Sequence, residues 1–212
     1  MNQKFVSKSN FVLRKVLNSE NSLDILQDFI ETFLNLKIKE IKLNPYLKIK
    51  SNYLPSEENF GIADVRIKTY DDKVLNVGIQ FIDGIYVQNK LLLYYAQIHA
   101  NQLEYDENRK LAKTITINLL DFKYFSSKEY HKKILIKAGE LDKSLCENLE
   151  LHVIELPKFK INVENNLSKK DYWMSYLVGS DNVLIEKALN ANDKIKKLNK
   201  LLEQYWKSEK ME

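Results

Sequence analysis

Ala63-Asp64-Val65-Arg66-Ile67-Lys68-Thr69-Tyr70-Asp71-Asp72-Lys73-Val74-Leu75-Asn76-Val77-Gly78-Ile79-Gln80 is the stretch on which the fold turns. Its apolar and β-branched residues predict two adjacent strands, about Gly61 to Thr69 and Val74 to Ile82. Tyr70-Asp71-Asp72-Lys73 joins them as a turn. Asp is favoured there because its carboxylate bonds nearby backbone, so Asp71 and Asp72 read as turn residues. Asp64 is then an acid on the first strand, and Gly78-Ile79-Gln80 is a residue-x-Gln element on the second.

Upstream, Ser22 can cap a helix running to about Leu36, with Leu26, Ile30, Phe33 and Leu34 on one face. Phe11 to Leu17 predicts a shorter helix before it. Ile38 to Ile49 alternates as a strand interrupted at Asn44-Pro45, and Pro55 to Asn59 follows as a polar loop. Downstream, Asp83-Gly84 signals a turn. Tyr86 to Leu103 predicts a long helix with Leu91, Tyr94, Tyr95 and Ile98 on one side. Thr114 to Asn118 predicts a β-branched strand. After a polar insertion, Tyr124 to Tyr130, two more strands are expected at Lys133 to Lys137 and Leu149 to Leu156.

The last third is helical in pattern. Ser168-Lys169-Lys170-Asp171 resembles a capping box, and Ser180 or Asp181 opens a further helix. About Asn192 to Lys207, Ile195, Leu198, Leu202 and Tyr205 form an apolar seam expected to pack on the core; a homodimer contact is its alternative use. The element order gives an α/β or α+β fold, a mixed central sheet flanked by helices. The expected division is a core over 1–160 and a C-terminal helical extension over 161–212 packed on it.

A chain of 212 residues, 44% hydrophobic and 29% charged, suits one full-sized domain. The net charge of +4 permits nucleic-acid binding without demanding it, because both signs are mixed along the chain. A single cysteine, Cys146, forms no internal disulfide, which fits a reducing cytoplasmic setting. No apolar run is long enough to span a membrane, and the first residues lack a signal-peptide pattern. His99, His131 and His152 have no metal-ligand spacing, and no Gly-rich phosphate loop or Ser-centred elbow occurs. Lys169-Lys170 and the lysines around Ile195 read as solvated helix faces.

Four stretches carry a resemblance. Asn10 to Leu17 with Leu26 to Leu36 forms opening helices; Ala63-Asp64-Val65 and Val77-Gly78-Ile79-Gln80 form paired strands. Lys90 to Tyr95 follows, then Leu149-Glu150-Leu151-His152-Val153-Ile154-Glu155-Leu156-Pro157-Lys158-Phe159, with Trp173 on a later helix. In this order they resemble the PD-(D/E)XK nuclease superfamily, and within it the recombination-promoting nuclease and transposase family. The resemblance implies a restriction-endonuclease-like fold, DNA as the favoured partner, and a link to transposition or recombination. It also implies roles: Asp64 as metal ligand, Gln80 at the water or scissile phosphate, Lys90 and Tyr94 on the nucleic-acid backbone.

The departures are equally specific. Asn10 stands where the family pattern begins with Asp, Gly78 where it has Glu, and Lys90 where it has Arg. A divalent ion in this chemistry activates water and offsets transition-state charge, and Mg²⁺ needs one or two carboxylates to hold it. Asp64 with the Ile79 carbonyl is a thin ligand set; Asp28 and Glu31 on the early helix are the acids with a route to replace the missing one. The expectation is a nuclease fold whose site is vestigial, with no cofactor. Such a protein would act by binding nucleic acid or a protein partner, for instance as an inhibitor in mobile-element and host conflict. The alternative is a working Mg²⁺-dependent DNA endonuclease. Gly78→Glu, with Asn10→Asp if needed, is a complementary test: gain of metal binding or nicking would show that the site decayed through these positions.

Overall fold

The computed structural model describes residues 10–44, 61–82, 84, 86–102, 111–135, 149–161 and 166–209. Two helices come first, α1 (Asn10–Leu17) and α2 (Leu23–Leu34). Three strands follow, β1 (Ile38–Leu43), β2 (Ala63–Thr69) and β3 (Val74–Ile82), then helix α3 (Val87–Asn101). Strands β4 (Lys113–Leu120), β5 (His131–Leu135) and β6 (Leu149–Glu155) complete the sheet. Helices α4 (Lys169–Val178), α5 (Asn182–Ala191) and α6 (Asp193–Glu209) close the described chain.

The predicted hairpin forms. β2 and β3 pair antiparallel with Asp64 opposite Gly78 and Ala63 opposite Ile79. Its turn is closed by Thr69, whose backbone N–H donates to the Lys73 carbonyl at 3.0 Å, while Asp72 adopts φ 59°. Asp and Asn tolerate that left-handed region best among residues with a side chain. The sheet order is β1-β2-β3-β4-β6-β5. β3, β4 and β6 run parallel; β1, β2 and β5 pair antiparallel at the margins. α3 is the crossover from β3 to β4, as a parallel connection requires.

Period-two alternation then decides what each face carries. On one face Val65, Ile67, Val77, Ile79, Ile115, Ile117 and Ile154 form a single core with α1, α2 and the C-terminal helices. Ile195 and Leu198 of α6 are buried in that core, so the apolar seam faces inward. Trp173 of α4 is 1% exposed; its indole N–H donates to Asp28 of α2 at 2.9 Å. Asn192 donates to the same carboxylate oxygen at 3.0 Å. On the other face α3 covers the sheet, burying Val87, Leu91 and Tyr95 against Ile82, Leu120, Leu151 and Val153.

The three capping expectations part company. Ser168 and Asp171 form the capping box at α4, and Asp181 accepts the N–H groups of Val183 and Leu184 at α5. Ser22 does precede α2, yet its hydroxyl donates to the Val16 carbonyl at 2.7 Å instead of capping. Residues 45–49, the Pro55 loop, Asp83 and Cys146 lie outside the described residues. No described helix is long and apolar enough to cross a membrane.

Candidate functional site

Asp64 is the second residue of β2, on the face that α3 covers. It is 1% exposed. One carboxyl oxygen, Oδ2, accepts a long 3.5 Å hydrogen bond from Asn44 Nδ2. The other, Oδ1, finds no hydrogen-bond partner. Ionising a carboxyl without partners in such a place is costly. Burial pushes it up to about 8, only partly opposed by Asn44. Burial with Oδ1 unpartnered thus favours the neutral form of this carboxyl in the metal-free protein.

Gly78 lies directly across the ladder from Asp64. An acid here would complete a carboxylate pair, but the space is taken. A Cβ added at Gly78 would run into the Ile98 Cδ1 methyl and sit 2.8 Å from the Tyr94 hydroxyl. Both side chains come down from α3. Gly61, at φ 106°, flanks the same ring; a Cβ there would lie 2.6 Å from the Tyr94 hydroxyl. Tyr94 is thus seated between two glycines that leave it room. A side chain at position 78 would therefore require the Ile98 methyl and the Tyr94 ring to shift.

Tyr94 itself is 0% exposed. Its hydroxyl lies 3.1 Å from the Ile79 carbonyl and 3.3 Å from that of Ala63. Burial, reinforced by nearby Asp64, raises its pKa well above the usual range. The role expected for Tyr94, a contact to a nucleic-acid backbone, does not suit a ring enclosed in the core. Lys90 sits one turn earlier on α3 and is half-buried. Arg14 of α1 donates from Nε to the Gly61 carbonyl at 2.9 Å, bringing a partly buried cation towards Tyr94.

Gln80 is 2% exposed and committed. Its amide donates to Asn118 Oδ1 at 2.5 Å on the neighbouring strand. Asn118 in turn donates to the Thr116 hydroxyl at 3.0 Å and to the His152 carbonyl at 2.9 Å. Gln80 is therefore part of a buried polar row across β3, β4 and β6, and its amide is not presented to a water or phosphate. Asn118 is a member of this row that the sequence pattern did not single out.

A divalent ion at this position would need several hard oxygens. The orphaned Asp64 Oδ1 is one donor that such an ion would satisfy. The remaining donors are missing or engaged: Gly78 has no side chain, and the Ile79 carbonyl already accepts from Ile62 N–H at 2.6 Å and from Tyr94. Asp28 and Glu31 point to the opposite side of the sheet. Asp28 is bound by Trp173, Asn192 and Lys169, and Glu31 accepts the Ile38 N–H at 2.8 Å. Among the described residues no group of three His, Cys, Asp or Glu side chains converges to hold a metal. Among the described residues the donors do not complete a set for a catalytic Mg²⁺.

The block Ile154-Glu155-Leu156-Pro157-Lys158-Phe159 has a structural use. Glu155 is 0% exposed at the end of β6. One of its oxygens accepts the backbone N–H of Tyr124 at 2.5 Å and of Phe125 at 3.1 Å. The other accepts from Lys158 at 2.6 Å, and Lys158 also donates to the Phe125 carbonyl at 2.6 Å. This buried pair pins the irregular segment between β4 and β5. A charged residue inside an apolar strand was the sequence signal for it.

A mixed sheet with an acid on one hairpin strand, a Gln two residues from the facing position, and helices on both faces defines a nuclease-fold protein of the restriction-endonuclease-like kind. The chain belongs to the family described as PD-(D/E)XK nuclease family transposase, whose model matches residues 7–212. Searches among curated proteins and among solved structures found no match.

Proposed function

We propose that this member of the family has lost phosphodiester cleavage and acts by binding. DNA is the favoured partner, with a protein partner as the other class; a role as inhibitor or decoy between mobile elements and their hosts follows from that reading. One observation carries it: Gly78 stands opposite Asp64 where a second acid is expected, and Tyr94 and Ile98 pack where its Cβ would lie. With one buried, protonated acid, the site lacks the charge to hold a divalent ion and activate water.

The test is incubation of supercoiled plasmid with the protein and Mg²⁺ or Mn²⁺, beside the Asp64→Ala variant. The expected result is no nicking above the variant's background. A parallel gel-shift series should show DNA retention that weakens steeply as salt rises, the signature of phosphate contacts. Absence of DNA binding at every salt concentration would move the partner to the protein class. The orphaned Oδ1 of Asp64 is the observation on the side of the alternative, an Mg²⁺-dependent endonuclease. Nicking that disappears in Asp64→Ala would establish that alternative and end the binding-only reading.

A further inference from the structure

Two of the three histidines that look scattered in sequence, His131 and His152, meet on the sheet face opposite α3. Glu150 and His152 are two residues apart on β6 and so share that face. His131 on the edge strand β5 comes beside them. His152 Nε2 is 2.7 Å from Glu150 Oε1. His152 Nδ1 is 2.8 Å from His131 Nε2. His131 Nδ1 is 2.7 Å from Nζ of Lys170, in the first turn of α4. The second Glu150 oxygen holds Lys113 at 2.6 Å and Lys133 at 2.9 Å.

Both ends of this row are fixed by chemistry. Glu150, held far below the usual carboxylate range by His152, Lys113 and Lys133 against its own desolvation, can only accept. An ammonium can only donate. Each link needs one hydrogen, so only one arrangement satisfies every link. His152 carries its hydrogen on Nε2 towards Glu150; His131 carries its own on Nε2 towards His152; the bare His131 Nδ1 receives Lys170. Both rings are neutral. An extra proton on His131 would face the Lys170 ammonium. An extra proton on His152 Nδ1 would drive the His131 hydrogen round to Nδ1, against the same ammonium.

The surroundings give that proton no relief. α2 presents the Phe33 ring, 6.0 Å from the His131 ring, and Lys170 Nζ lies 5.4 Å above Phe33 and 5.6 Å from the Tyr130 ring. Burial lowers the Lys170 ammonium, partly opposed by Asp171 on α4, and burial together with Asp171 raises Tyr130. The acids of α2 are engaged elsewhere, Asp28 with Lys169 and Glu31 with the Ile38 N–H. On β5, Lys132 turns to Glu129. Burial first, then Lys170 and His152, push His131 down to about 3.

We propose that Glu150, His152, His131 and Lys170 form a one-way hydrogen-bond relay that fastens α4 to the sheet edge in a single proton arrangement, so that this junction is released by acid. The sign follows from linkage. Unfolded, His131 titrates near 6.5; folded, it stays neutral far lower. Its contribution to stability is whole above about pH 6.5 and is lost as pH falls below it. Between pH 7 and pH 5 the folding constant should drop about 25-fold through this one group. The relay lies away from Asp64, and it stands whether or not the chain cuts DNA.

Long-range proton–nitrogen spectra of the histidine rings at pH 7 test it on the unaltered protein. The expected result is the Nε2–H tautomer for both His131 and His152. An imidazolium, or a hydrogen on Nδ1 of either ring, overturns the proposal. Lys170→Met tests the lock, because it removes the donor that forbids the second proton. Its folding constant should fall between pH 7 and pH 5 by a smaller factor than that of the unaltered chain, because Lys170 adds to a depression that burial begins. A variant that loses the same factor at both pH values would reduce Lys170 to packing and refute the relay.

Discussion

Asp64→Asn should stabilise this protein, and the gain should grow with pH. In the native state burial keeps the Asp64 proton to about pH 8. In the unfolded chain an Asp releases it near pH 4. Between those values unfolding sheds a proton, so stability falls by about 1.4 kcal/mol for each pH unit. Asn has nearly the same shape as the protonated acid and no proton to shed. The two proteins should match near pH 4 and differ by about 4 kcal/mol at pH 7, with the difference levelling off above pH 8. That figure is an upper bound, since water entry or a small rearrangement around Oδ1 would soften the cost. The assay is urea unfolding followed by circular dichroism, both proteins compared at half-unit pH steps, first with EDTA and then with excess Mg²⁺. Parallel pH curves would mean that Asp64 is ionised in the folded state and would refute the reasoning. Stabilisation by Mg²⁺ that is present in the unaltered chain and absent in Asp64→Asn would show a bound ion, by the linkage between ligand and stability.

Three further perturbations test the packing around the site. Gly78→Ala should cost about 1–3 kcal/mol through overpacking; combined with Ile98→Val, which removes the colliding Cδ1, it should cost at least about 0.5 kcal/mol less than the sum of the two, read from a denaturation double-mutant cycle. Glu155→Gln should destabilise by about 3–5 kcal/mol, because it leaves Lys158 buried without its countercharge; limited proteolysis should then cut first between β4 and β5. Tyr94→Phe should cost about 1 kcal/mol in thermal or urea unfolding, for the lost hydroxyl contacts, and leave DNA retention in gel shifts unchanged. A loss of retention at unchanged stability would put Tyr94 in the interface.

The hairpin was legible because Val, Ile and Leu alternate on both sides of an Asp-rich turn, and the structure places its strands at Ala63–Thr69 and Val74–Ile82. α3 was legible from Leu91, Tyr94, Tyr95 and Ile98, all buried at helical spacing. What the spacing could not say is which sheet face that helix covers; the backbone contact expected of Tyr94 came from the resemblance, although the spacing already set it on the apolar side. The Asn118 partner of Gln80 depends on the β3–β4 register, which is settled by the crossover and not by either strand alone. The same holds for His131 and His152, set together by antiparallel pairing of β5 with β6. Glu150 and His152 could have been paired from alternation alone. The missing acid at Gly78 was plain in the sequence; that its place had been filled was not, because filling is a property of α3.

The seat of Tyr94 between Gly61 and Gly78 bears on how such a protein can change over generations. One nucleotide substitution can turn a glycine codon into a glutamate codon, so the road back to a paired-acid centre looks a single step long. Here that step meets an aromatic ring and a methyl group already in residence. Trimming of residue 98 and withdrawal of the ring must come first, and neither brings any catalytic reward on its own. The order of mutations therefore acts as a ratchet, turning freely towards the silent form and resisting the return.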